Sequence, residues 1–211
     1  MTYFEKYIKY KTLYLNLCQV GGTSNLIIHI CGLPGSGKST LGERIREHFG
    51  TKIVVKDLDD LRDDFISEHY GSEPFDKIDS VLYQKYIDAF VQETHKPIVF
   101  VGLNNIPWWD KDLYYNVHPT HTYYIDVPVS ELLVRKCKRF FDNTLKGPAI
   151  EDLVKNNERF LHITKNGINA ECGMASTTEE KERWDSYYKS HSYIFMDADL
   201  IYAEVVQILG S

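Results

Sequence analysis

Residues Gly32-Leu33-Pro34-Gly35-Ser36-Gly37-Lys38-Ser39-Thr40 place three glycines, a lysine and three hydroxyls in one short run. Glycine lets a backbone curl until successive N–H groups converge on an anion, and a helix starting at the lysine adds its positive end there. Such a loop binds a nucleotide's phosphates: Gly32, Pro34, Gly35, Ser36, Gly37 and Thr40 frame the site, Lys38 meets the β- and γ-phosphates, and Ser39 supplies a metal-ligand hydroxyl. A glycine-rich turn with an incidental Lys-Ser is the competing reading. The flanks argue against it, because the apolar run 26–31 reads as a strand and 38–49 reads as a helix with Leu41 and Ile45 on one face.

A second cluster follows in Lys56-Asp57-Leu58-Asp59-Asp60-Leu61-Arg62. A carboxylate at the carboxyl end of a strand beside bound phosphates can take the proton of an attacking hydroxyl or hold the magnesium shell. It can also cap the next helix. Three acids exceed what a cap needs. The sequence does not distribute the roles of base, metal-shell ligand (Asp57 is the candidate) and cap among Asp57, Asp59 and Asp60.

Switch and motor ATPases carry an acid after a later apolar strand, whereas here 97–101 runs into Gly102-Leu103-Asn104-Asn105. That absence favours a kinase. In a helix over 129–142, Arg135 and Arg139 are four apart and share a face, with Leu133, Cys137 and Phe140 turned toward a core. Trp108 and Trp109 follow the 97–101 strand, where one can stack on an acceptor base or both can pack under a loop.

The elements that must hold these groups alternate. Strands are expected at 26–31, 52–55, 97–101, 122–127 and 193–196, and helices at 38–49, 59–69, 78–94, 129–142, 149–163, 178–190 and 199–209. Alternation requires crossover connections, hence a three-layer α/β fold: a parallel five-stranded sheet with helices on both faces and a helical lid near 135–160. Tyr3, Tyr7, Tyr10, Tyr14 and Leu17 recur at helical spacing, so 1–22 is expected to be an N-terminal helix and linker, and 23–211 the catalytic domain.

Composition sets the outer bounds. The chain has 211 residues, 43% hydrophobic and 26% charged, which suits a globular protein of one main domain. No apolar run is long enough to span a bilayer, and Lys6, Lys9 and Lys11 interrupt any signal-peptide core. The four cysteines form no C-x-x-C pair, so reduced thiols in the cytoplasm are expected, without disulfide or zinc. All eight histidines read as structural or surface groups. A net charge of −6 argues against an extended nucleic-acid track.

Three segments together resemble the polynucleotide 5′-hydroxyl kinases and their small P-loop kinase relatives: Gly32–Thr40, Asp59-Asp60-Leu61-Arg62, and Tyr124-Ile125-Asp126-Val127-Pro128-Val129 leading to Arg135-Lys136-Cys137-Lys138-Arg139. The resemblance implies ATP and Mg²⁺, Asp59 as the base, Arg62 beside Asp60 on the acceptor phosphate, and Arg139 with Arg135 on the transferred group. Where those kinases carry an acid after the third strand, this chain has Gly102. The segment Tyr7-Ile8-Lys9-Tyr10-Lys11 through Gly21-Gly22 also resembles N-terminal segments of large DNA virus proteins, which would make the compartment a host cytoplasm.

The leading expectation is transfer of the ATP γ-phosphate to a hydroxyl of a nucleoside, nucleotide or nucleic-acid 5′ end. A nucleoside-monophosphate or other small-metabolite kinase is the alternative. An ATP-binding regulatory module without transfer chemistry is the alternative of another class.

Overall fold

The computed structural model describes residues 26–71, 78–102, 115–144 and 174–210. The N-terminal segment, Trp108 and Trp109, and the expected helix over 149–163 with most of the lid region lie outside them.

Five strands form one parallel sheet: β1 (Ile27–Cys31), β2 (Val54–Asp57), β3 (Ile98–Val101), β4 (His121–Ile125) and β5 (Ile194–Met196), in the order β2-β3-β1-β4-β5. Six helices connect or flank them among the described residues: α1 (Lys38–Phe49), α2 (Leu58–His69), α3 (Ser80–Glu93), α4 (Val129–Thr144), α5 (Met174–Ser190) and α6 (Ala198–Gly210). The expected three-layer α/β fold is the one observed.

Both faces of the sheet are covered, which is why β1 is apolar on both sides and wholly buried. Ile28 and Ile30 pack with Leu41 and Ile45 of α1, Trp184 and Tyr188 of α5, and Ile201 and Val205 of α6. Ile27 joins a second cluster with Leu58, Leu61 and Phe65 of α2 and Tyr83 and Ile87 of α3. Within β1 one polar side chain, His29, is completely buried.

The second strand departs from expectation. It begins at Val54 rather than 52 and ends at Asp57 rather than 55, because Gly50–Lys52 continues the end of α1 as a 3-10 turn. The shift puts Asp57 at the last strand position and makes it the cap of α2, its Oδ1 accepting from the Asp59 amide at 3.0 Å. On α4 the fully buried leucine is Leu132, with Leu133 only half-buried, so the helix is rotated from the expected Leu133-facing setting.

Candidate active site

The loop between β1 and α1 is built for an anion. Gly35 and Gly37 sit at φ 85° and 100°, values that side-chain-bearing residues rarely adopt. A Cβ on Gly32 would come within 2.6 Å of Ser36 Oγ, so that position must stay bare for the loop to close on itself. Gly37 caps α1 without a side-chain bond, and no acid lies in the helix's first turn. The first N–H groups of α1 are therefore left to a ligand, and the helix end favours a negative one.

Lys38 folds back over the loop and donates to the carbonyls of Gly32 at 2.7 Å and Leu33 at 3.0 Å. Burial pushes its ammonium below the ordinary lysine range, while nearby Asp57 and Asp59 pull it back up. Buried carbonyls are weak compensation for a cation, so a polyphosphate entering here gains a partner that is already partly desolvated.

A cleft of about 1000 Å³ runs from this loop to the ends of β2, β3 and β4. Pro34, Gly35, Ser36, Gly37, Lys38, Ser39 and Thr40 line it, together with Asp57, Asp59, Arg62, Arg135 and Arg139. Residues expected from distant parts of the sequence thus meet in one place. Gly32 is buried and supports the loop through its contact with Ser36. Asp60 is exposed and does not line the cleft, since it faces away on the first turn of α2. Trp108 lies outside the described residues.

The acids divide by position. Asp57 holds the helix cap, and partial burial with Asp59 and Asp60 close by raises its carboxyl above the ordinary range. A cation arriving beside it would relieve that strain. Ser39, on the exposed first turn of α1, and Asp57 are the residues that would hold Mg²⁺, a metal that takes few protein oxygens alongside phosphates and water. Bound there, the ion would neutralise charge on the phosphate oxygens. Among the described residues no cluster of three metal-ligating side chains exists. Asp59 is exposed to the cleft, with Oδ1 3.4 Å from Arg62 Nη2.

On the lid side, Arg135 pairs with Glu131 and donates from Nη1 to the carbonyls of Gly35 at 3.2 Å and Ser36 at 3.0 Å. Arg139, one turn further, lines the cleft and has no ion-pair partner among the described residues. Lys136, on another face, is pinned to Glu180 of α5 at 2.8 Å.

Sequence reasoning missed the far end of the cleft, where Arg44 of α1 pairs with Asp199 at 2.5 Å and lies 3.8 Å over the Tyr202 ring. Asp197 and Ala198 complete that end. The available signal was Arg44 lying off the Leu41–Ile45 face of α1. His29, expected to be a structural or surface group, is buried and engaged at both ring nitrogens. Its Nδ1 lies 2.6 Å from the Tyr193 hydroxyl and its Nε2 3.2 Å from the Gly102 carbonyl. Because a carbonyl only accepts, Nε2 carries the proton and Tyr193 donates to Nδ1.

No family model matches the sequence. Among curated proteins, the chain is 31% identical over 151 residues to a shikimate kinase of Clostridium botulinum (strain 657 / Type Ba4), covering 67% of this chain and 79% of that protein. It is 29% identical over 148 residues to the shikimate kinase of strain Langeland, with the same coverage. Among solved structures, a shikimate kinase from Acinetobacter baumannii in complex with shikimate overlays with a TM-score of 0.41 at 14% identity, covering 88% of this chain and 93% of that one. A gluconokinase from Sinorhizobium meliloti 1021 gives a TM-score of 0.29 at 17% identity, covering 78% and 97%. Overlays this loose add no weight. The sequence relatives do, over most of their own length, and by them this chain belongs to the shikimate kinase family of P-loop kinases, as an ATP-dependent phosphotransferase that works with Mg²⁺.

Proposed function

We propose that the enzyme transfers the γ-phosphate of ATP to a hydroxyl of a small metabolite that also carries an anionic group. The observation that carries this reading is the Asp59–Arg62 pair at the cleft, 3.4 Å apart on successive turns of α2. A carboxylate able to take a hydroxyl proton stands beside a guanidinium able to hold an anion, so one small molecule can satisfy both. Shikimate, which combines a carboxylate with ring hydroxyls, has this chemistry, and the relatives' names support a small-metabolite acceptor over a long polymer.

In this reading Lys38 and Arg139 bear the charge that develops on the transferred group, and Asp59 takes the acceptor proton. A nucleoside 3′-phosphate offering its 5′-hydroxyl is a second acceptor of the same chemistry. The Asp59-Asp60-Leu61-Arg62 sequence favours it, since it resembles the acceptor motif of polynucleotide kinases.

The test is a screen with labelled ATP against shikimate, gluconate, a nucleoside 3′-phosphate, nucleoside monophosphates and uncharged polyols. Transfer to hydroxylated anions, lost in Arg62→Ala, is expected. Preferential use of uncharged polyols, or of a phosphate rather than a hydroxyl as nucleophile, would overturn the proposal.

A further inference from the structure

His29 sits in the middle of β1, fully buried, and takes no part in the chemistry described above. A buried imidazole is costly to desolvate, and hydrogen bonds at both nitrogens offset that cost by fixing the groups it holds. One side is Tyr193, just before β5, whose hydroxyl lies 2.6 Å from Nδ1. The other is the Gly102 carbonyl at the end of β3, 3.2 Å from Nε2.

Gly102 is the point at which β3 enters the cleft, and its amide donates to the Ile30 carbonyl at 3.2 Å. Its φ of 123° is one that glycine favours. A Cβ there would meet Asp57 Oδ1 at 3.1 Å and Leu58 Cβ at 3.2 Å, so the side-chain-free face of Gly102 is turned to the carboxylate assigned to the metal shell, with no room for a substituent between them. Whatever fixes this peptide therefore fixes the wall against which Asp57 rests.

We infer that His29 is a positioning residue: through its bond to the Gly102 carbonyl it sets the backbone that holds Asp57, and so sets the Mg²⁺ side of the nucleotide site. The relay runs Tyr193 hydroxyl to His29 Nδ1, then His29 Nε2–H to Gly102, then by packing to Asp57. Burial keeps the ring neutral, with its titration near pH 4, and Lys38 nearby acts in the same direction. The inference rests on Asp57 as a magnesium-shell ligand.

The test needs no acceptor. ADP affinity is measured by titration calorimetry with and without Mg²⁺, and the ratio of the two affinities is compared among full-length variants of matched melting behaviour. His29→Gln keeps an amide donor near the Nε2 position, whereas His29→Asn places its amide near Nδ1 and gives up the Gly102 bond. His29→Asn is expected to lower the Mg²⁺ enhancement about 3- to 10-fold, with Mg²⁺-free ADP affinity unchanged, and His29→Gln is expected to restore most of it. Tyr193→Phe, which leaves the ring in place, is expected to lower it about 2-fold and serves if His29→Asn does not fold. An unchanged ratio in His29→Asn, or in Tyr193→Phe should His29→Asn not fold, overturns the relay, as does an equal loss in His29→Asn and His29→Gln. Asp57→Asn separates the two levels. If it too leaves the ratio unchanged, the metal reading fails and takes the relay with it; if it lowers the ratio while His29→Asn does not, only the relay fails.

Discussion

Arg135 Nη1 donates to the Ser36 carbonyl at 3.0 Å, across 99 residues of sequence, so the lid helix rests on the crown of the phosphate loop. Arg139, on the same face, keeps its guanidinium in the cleft without an ion-pair partner among the described residues. The two arginines expected to act together thus stand in different settings, Arg135 bonded to the phosphate loop and Arg139 exposed along the cleft.

Arg139→Ala should lower kcat by roughly 10³-fold or more with little change in ATP affinity, and Arg139→Lys should recover only part, since a point charge does not replace the planar fork. Arg135→Ala should cost much less in kcat, because its contacts are half-exposed backbone bonds worth about 1 kcal/mol. Steady-state kinetics with the best acceptor from the screen checks this. Equal losses in the two variants would show that Arg135 also bears transition-state charge.

Asp59→Asn should keep ATP binding and lower the rate about 10²–10⁴-fold, because an amide cannot take the acceptor proton. Asp57→Asn keeps the oxygen that caps α2, so its defect should appear as a higher Mg²⁺ requirement with the helix intact. Circular dichroism with Mg²⁺ titrations of turnover distinguishes the pair. A silent Asp59→Asn would move the base elsewhere.

Gly102→Ala combines an unfavourable φ with a 3.1 Å approach to Asp57 Oδ1. A loss of about 1–3 kcal/mol in unfolding free energy is expected, read from denaturant midpoints at constant slope. Stability equal to the parent would show that the β3 terminus relaxes freely.

Burial, aided by the Lys38 charge and opposed by the Gly102 bond, lowers the His29 pKa to about 4 in the native state, against 6.5 for an ordinary imidazole. Between those values the unfolded chain binds a proton that the native chain refuses, so stability falls as pH falls from about 6.5 toward 4. The gap corresponds to roughly 3 kcal/mol. His29→Gln lacks this linkage, so its melting temperature should vary less than the parent's across that window. Parallel pH curves would contradict the assigned burial.

The parts of the site that lie close together in the chain were legible in the sequence. The loop from Gly32 to Thr40 announces itself because its glycines, lysine and hydroxyls must be contiguous to wrap one phosphate chain. The start of β2 was misplaced because Gly50–Lys52 extends α1 by a turn that apolar periodicity does not register. That error also hid which acid caps α2. His29 was expected to be a structural or surface group and is a buried one, but what it holds was hidden, since its partners stand 73 and 164 residues away and only the sheet brings them together. The acceptor was misjudged in emphasis, since Asp59-Asp60-Leu61-Arg62 resembles one kinase group while the longer similarity runs to small-metabolite kinases.

The strand order β2-β3-β1 places the acid-bearing strand and the phosphate-loop strand two spacings apart, about 10 Å. The strand between them ends at Val101 and hands over to Gly102, a residue without a side chain. The cleft is therefore lined by bare backbone at that point. A carboxylate at this position would add a further negative charge to a cleft already lined by Asp57 and Asp59. Glycine keeps that position free of bulk and charge, and its carbonyl accepts from the buried His29 imidazole.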